Sequence, residues 1–138
     1  MIVYLIGGLA GRSATVLCVL AVALPYLLRR NRLSRGLGLA QEHAAPYLRR
    51  LWPHFWAGYV ILGLSVVHAG TVMRAMARAN SFGVLAATAA FFLLLLETAL
   101  GLNLKDQALS PRRTLRRLHF WTMAAFVATL SVHLCLNS

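Results

Sequence analysis

The sequence predicts an all-α integral membrane protein, a single up-and-down four-helix bundle over residues 1–138. Three observations predict it. Hydrophobic residues make up 59% of the chain, more than a soluble domain of this size carries. They fall into four runs, each long enough for the roughly 20 apolar residues that a spanning helix needs. The basic residues leave a net charge of +11 and gather between those runs, which is where membrane loops carry them. That placement argues against nucleic acid as a partner and for membrane lipid. No run alternates with period two, so strands are excluded.

The first helix is expected over about residues 2–28. Arg12 interrupts it, and Ala21-Val22-Ala23 resembles a signal-peptidase site. A basic n-region is missing before Arg12, so the segment reads as a true helix. Pro25 should kink its last turn. The second helix is expected over about 51–75, with Pro53 in its first turn. Asn80-Ser81 should cap the third, over about 82–104. Ser110 as N-cap and Pro111 at the first helical position should open the fourth, over about 111–136.

Loop charge sets the expected orientation. The first loop carries Arg29, Arg30, Arg32, Arg35, Arg49 and Arg50; the third carries Lys105, Arg112, Arg113, Arg116 and Arg117. The second carries only Arg74 and Arg78. Loops one and three are therefore expected in the cytoplasm, with both termini outside, in a bacterial inner membrane. Trp52, Trp56 and Trp121 fall at the cytoplasmic helix ends, where an aromatic belt forms.

Two stretches repeat each other. Residues 54–68 read HFWAGYVILGLSVVH and residues 119–133 read HFWTMAAFVATLSVH. Fourteen residues of helix rise about 21 Å and return to within roughly 40° of the same face. Each helix thus presents two imidazoles at two depths. In an up-and-down bundle the second and fourth helices run parallel, so His54 should meet His119 and His68 should meet His133. Antiparallel helices would cross the pairing. Two bis-imidazole sites stacked across a bilayer are the arrangement needed for two non-covalent haems b. Without a C-x-x-C-H motif, c-type attachment is not expected; Cys18 and Cys135 lie in separate apolar runs. Two strong-field imidazoles leave the iron six-coordinate and suited to electron transfer. A ligand histidine donates its other ring N–H to a neighbour. Ser65, Thr129 and the carbonyls one turn back are the candidates. His43 lies in the polar first loop and reads as solvated.

Small residues should clear space for a macrocycle. Gly83, Ala86, Ala87 and Ala90 form a stripe on the third helix, Gly101 lies at the inner level, and Gly7, Gly8 and Gly11 lie near the outer level. Close helix packing explains any one of them nearly as well; taken together they point toward haem. Propionates call for cations. Arg49, Arg50, Arg116 and Arg117 suit the inner haem, and Arg12, Arg74 or Arg78 the outer one; the positive-inside pattern alone also explains the loop arginines. Arg12 lies deeper than loop charges do. Glu97 is the one acid within a span. It has four readings: a proton acceptor from quinol, a guide for a propionate arginine, a partner of a ligand histidine, or the partner of a loop arginine.

At these histidines the chain resembles dihaem b-type membrane cytochromes. The paired spacing on parallel helices is similar to the haem-binding half of cytochrome b in quinol–cytochrome c reductases. It is similar too to small b561-like proteins and to the ferric-reductase-like transmembrane domain. The resemblance covers the last three helices well and the first weakly. It implies axial ligation by His54, His68, His119 and His133, and electron exchange with quinone inside a redox complex of several subunits. The Pro-Glu-Trp-Tyr motif of quinol oxidation is absent, and no flavin or nicotinamide domain follows. The expectation is thus an electron-transfer subunit rather than a complete enzyme. Competing classes are a cofactor-free structural or assembly subunit, a pigment-binding accessory, and a small metal or proton transporter.

Overall fold

The computed structural model describes residues 2–29, 51–72, 80–105 and 112–137. Four helices account for nearly all of them: α1 Ile2–Arg29, α2 Trp52–Val72, α3 Ser81–Lys105 and α4 Arg112–Asn137. All four are long and apolar enough to cross a membrane. The expected boundaries agree to within a few residues; the predicted last turn of α2 and the Ser110-Pro111 start of α4 fall outside the described residues.

Local chemistry fixes the helix starts. Asn80 caps α3: its Oδ1 accepts the Phe82 N–H at 3.0 Å and its carbonyl accepts the Val84 N–H at 2.9 Å. In α2 the Leu51 carbonyl accepts the Phe55 N–H at 3.1 Å. Pro53 sits in that first turn, where a missing N–H costs nothing. α1 runs through Pro25 to Arg29.

α1 packs closely on α2, and α3 on α4, while α2 meets α3 more lightly. The molecule is therefore two helical hairpins placed face to face. Both hairpins are antiparallel: on α2, His54 meets Ala21 and His68 meets Gly7. On α4, His119 meets Glu97 and His133 meets Gly83. His54 meets His119 and His68 meets His133, so α2 and α4 run parallel.

Between the hairpins lies a core of Cys18, Ala21, Ile61, Ala90, Leu94 and Phe126. Ile61 stands seven residues from both His54 and His68, and Phe126 seven from both His119 and His133. Seven residues bring a helix back to nearly the same face. α2 and α4 therefore each present histidine, apolar residue, histidine toward the other hairpin. Ile61 is 3% exposed and Phe126 7%, so this middle layer is packed and separates two histidine levels. The outward surface is apolar: Ile2, Val19, Phe82, Leu85 and Phe92 are all exposed. A patch of that extent is a lipid-facing surface. Trp52, Trp56 and Trp121 are exposed at the arginine-rich end, as interfacial anchors are.

Candidate haem sites

The four histidines come together as two pairs. The ring centres of His54 and His119 are 6.3 Å apart, with their planes at 86°. Those of His68 and His133 are 6.4 Å apart, at 73°. An iron held at about 2.0 Å by two opposed imidazoles places their ring centres roughly 6.3 Å apart. The same separation suits an edge-to-face aromatic pair. What favours ligand pairs is the other side of each ring.

Behind every histidine stands the partner helix of its own hairpin. His54 Nδ1 is 3.0 Å from the Ala21 carbonyl, and His68 Nδ1 is 2.8 Å from the Gly7 carbonyl. His133 Nδ1 is 3.1 Å from the Gly83 carbonyl. A carbonyl only accepts, so Nδ1 carries the proton in the His54 and His68 rings and their Nε2 lone pairs are left for a metal. His119 Nδ1 lies 3.0 Å from Glu97 Oε1. It is at hydrogen-bond distance without hydrogen-bond alignment. Asn137 adds a second neighbour at His133, its Nδ2 3.2 Å from Nδ1.

These backing positions carry a repeat of their own. Gly7 and Ala21 are fourteen residues apart on α1, and Gly83 and Glu97 are fourteen apart on α3. One constant offset maps Gly7 on Gly83, Ala14 on Ala90, Cys18 on Leu94 and Ala21 on Glu97. The first three pairs are buried on both helices. The two hairpins are thus structural repeats, and all four helices keep the fourteen-residue period.

This geometry corrects the expected hydrogen-bond partners. Thr129 Oγ1 donates to its own helix, at Ala125 and Phe126, as hydroxyls in apolar helices do. The carbonyls used belong to the neighbouring helix, not to the turn before each histidine. Three of the glycines follow the close-packing reading. A Cβ on Gly11 would lie 2.7 Å from His68 Nδ1 and 2.9 Å from its Cε1. On Gly7 it would strike Thr71, and on Gly83 it would strike Asn137. These glycines let backbone approach the histidines from behind. Gly8 is exposed and faces open space.

At the inner level, the one toward the arginine-rich end, a cavity of about 780 Å³ opens between the hairpins. That lies within the roughly 300–1,000 Å³ of cofactor pockets. His54 and His119 line it, with Ala21, Gly58, Glu97 and Gly101 among its other walls. Gly58 sits one turn beyond His54, and a Cβ there would meet nothing. At Gly101 a Cβ would only reach ordinary contact with His119, at 3.7 Å. The polar end holds Arg112 and Arg116. Glu97 Oε2 and Arg112 Nε are buried and have no hydrogen-bond partner among the described residues. A flat apolar macrocycle with an acidic edge would fit this lining: two imidazole rings, glycine-cleared walls and the buried Arg112 guanidinium at one end.

Arg116 therefore stands where the sequence placed it, at the inner level. Arg112, whose Nη2 donates to the Leu104 carbonyl at 3.1 Å, joins it; the sequence had counted Arg112 only as loop charge. Its spacing of seven residues before His119 was the available signal. Arg12 is exposed, one position off the inward stripe of Gly7, Gly11, Ala14, Cys18 and Ala21. Arg49, Arg50, Arg74 and Arg78 lie outside the described residues.

No family model, no curated protein and no solved structure matches the chain.

Proposed function

We propose that this protein is a dihaem b-type electron-transfer subunit, carrying electrons across the membrane for a larger redox complex. The observation that carries this reading is the pairing itself: two imidazole pairs at iron-spanning separation, with three of the four rings met from behind by backbone carbonyls. His54 and His119 would hold the inner haem, and His68 and His133 the outer one. Arg112 and Arg116 would meet the inner propionates. When bound, haem supplies one-electron redox chemistry at a six-coordinate iron. The protein's own residues supply the rest. Ile61 and Phe126 exclude water between the levels, and the backing carbonyls hold the rings against rotation.

The competing readings have less support. Zinc sites take three or four protein ligands, and among the described residues no three His, Cys, Asp or Glu side chains are placed so as to hold one metal ion. A magnesium pigment needs one axial ligand, not two facing imidazoles. By the charge rule the arginine-rich end lies in the cytoplasm and both termini outside. Membrane quinone is the exchange partner proposed for the inner level, where Glu97 and Arg112 put polar groups into an apolar cavity.

Two results are expected. In proteoliposomes of the haem-loaded protein, external dithionite should reduce ferricyanide trapped inside, and empty liposomes should not allow it; equal rates in both would contradict transmembrane transfer. The near-perpendicular ring planes should give both ferric haems a large-gmax low-spin signal in electron paramagnetic resonance. A rhombic spectrum, as parallel planes produce, would refute the ring geometry.

A further inference from the structure

Three of the four inward histidines rest on backbone carbonyls and one rests on a carboxylate. The repeat makes the exception specific. Ala21 of α1 and Glu97 of α3 are equivalent positions, and they back the two histidines of the same inner pair. Orientation alone does not call for a carboxylate, since carbonyls orient the other three rings. Burying an acid in an apolar helix is costly, and Glu97 is only 13% exposed. Its Oε2 and the Arg112 Nε are each left without a partner, so a mutual ion pair through these atoms does not explain it. Arg112 and Arg116 line the same cavity.

We propose that Glu97 tunes the inner site as a positioning residue. Its carboxylate takes the Nδ1–H of His119 and makes that ligand more basic, so the inner haem has a lower reduction potential than a neutral acceptor would give. The proposal rests on the dihaem reading above. The physical steps are general. A carboxylate draws the imidazole proton more strongly than an amide carbonyl, which raises ligand basicity. A more basic ligand and a nearby negative charge both favour ferric over ferrous iron. The 3.0 Å separation already suits the bond. A modest turn of the imidazole about Cβ–Cγ, a torsion with a broad minimum, would align it.

Spectroelectrochemical titration of the purified haem-loaded protein and of Glu97→Gln tests this. The inner midpoint is identified with His68→Ala protein, which should keep only the inner haem. In Glu97→Gln the inner midpoint should shift upward while the outer one stays put. Two retained haems with unmoved midpoints, or with both midpoints displaced equally, would overturn the role of Glu97 and leave the dihaem reading intact. Should Glu97→Gln fail to keep the inner haem, Glu97→Asp retains the charge with a shorter reach. It should also raise the inner midpoint, and an unmoved midpoint there overturns the proposal. A wild-type protein that binds no haem would instead overturn the reading beneath it.

Discussion

Replacing His68 by alanine should remove one of two haems and leave the other with unchanged spectrum and potential. The reason is geometric. His68 and His133 face each other across 6.4 Å, while His54 and His119 form a separate pair fourteen helical residues away, about 21 Å along the axis. The packed layer of Ile61 and Phe126 lies between. Loss of one axial ligand therefore stays local. His119→Ala should do the same at the inner level. Double variants test the pairing more sharply. His54→Ala with His119→Ala strips a single level and should keep one haem. His54→Ala with His133→Ala damages both levels and should lose both. The reverse pattern would mean that the helices pair their histidines crosswise. Haem content by pyridine haemochrome assay against protein mass is the measurement.

A single methyl group at position 11 should weaken the outer site without touching a ligand. A Cβ on Gly11 would lie 2.7 Å from His68 Nδ1, closer than side-chain carbons approach. The ring cannot simply retreat, because its Nδ1 is bonded to the Gly7 carbonyl at 2.8 Å. Relief requires breaking that bond or swinging Nε2 away from its partner across the gap. Loss of such a supporting contact weakens metal binding by about 10- to 100-fold. Gly11→Ala should therefore lower outer-haem affinity by that order and leave the inner haem alone. Gly8→Ala is the control, since nothing lies within 4 Å of its Cβ position. Equal haem content and affinity in Gly8→Ala and Gly11→Ala would contradict the tight backing of His68.

The spans were legible because lipid imposes a length and a composition that no other environment does. The four histidines were legible because imidazole is conspicuous in apolar text and the spacing repeats. What backs them was not. Gly7, Ala21 and Gly83 act through carbonyls, and a carbonyl leaves no signature in the sequence of the residue that bears it. Ser65 and Thr129 have visible hydrogen-bonding groups and drew attention for that reason, yet Thr129 satisfies its hydroxyl within its own helix. Of the glycines in the sequence pattern, Gly7, Gly11 and Gly83 follow the close-packing reading and bring backbone up behind the histidines, while Gly101 lines the inner cavity. Gly58, which does open space in the inner cavity, lies inside the repeat and went unread. Glu97 stands out as the one acid in apolar text, and the structure sets it 3.0 Å from His119 Nδ1. The sequence signal for the backing positions is the same fourteen-residue spacing on α1 and α3, Gly7 with Ala21 and Gly83 with Glu97.

One measurement bears most directly on the two bis-histidine sites: a reduced-minus-oxidised spectrum of the purified protein, combined with its haem-to-protein ratio. A b-type α band with two haems per chain is the predicted result. A colourless preparation that stays haem-free after reconstitution with excess haem would contradict it.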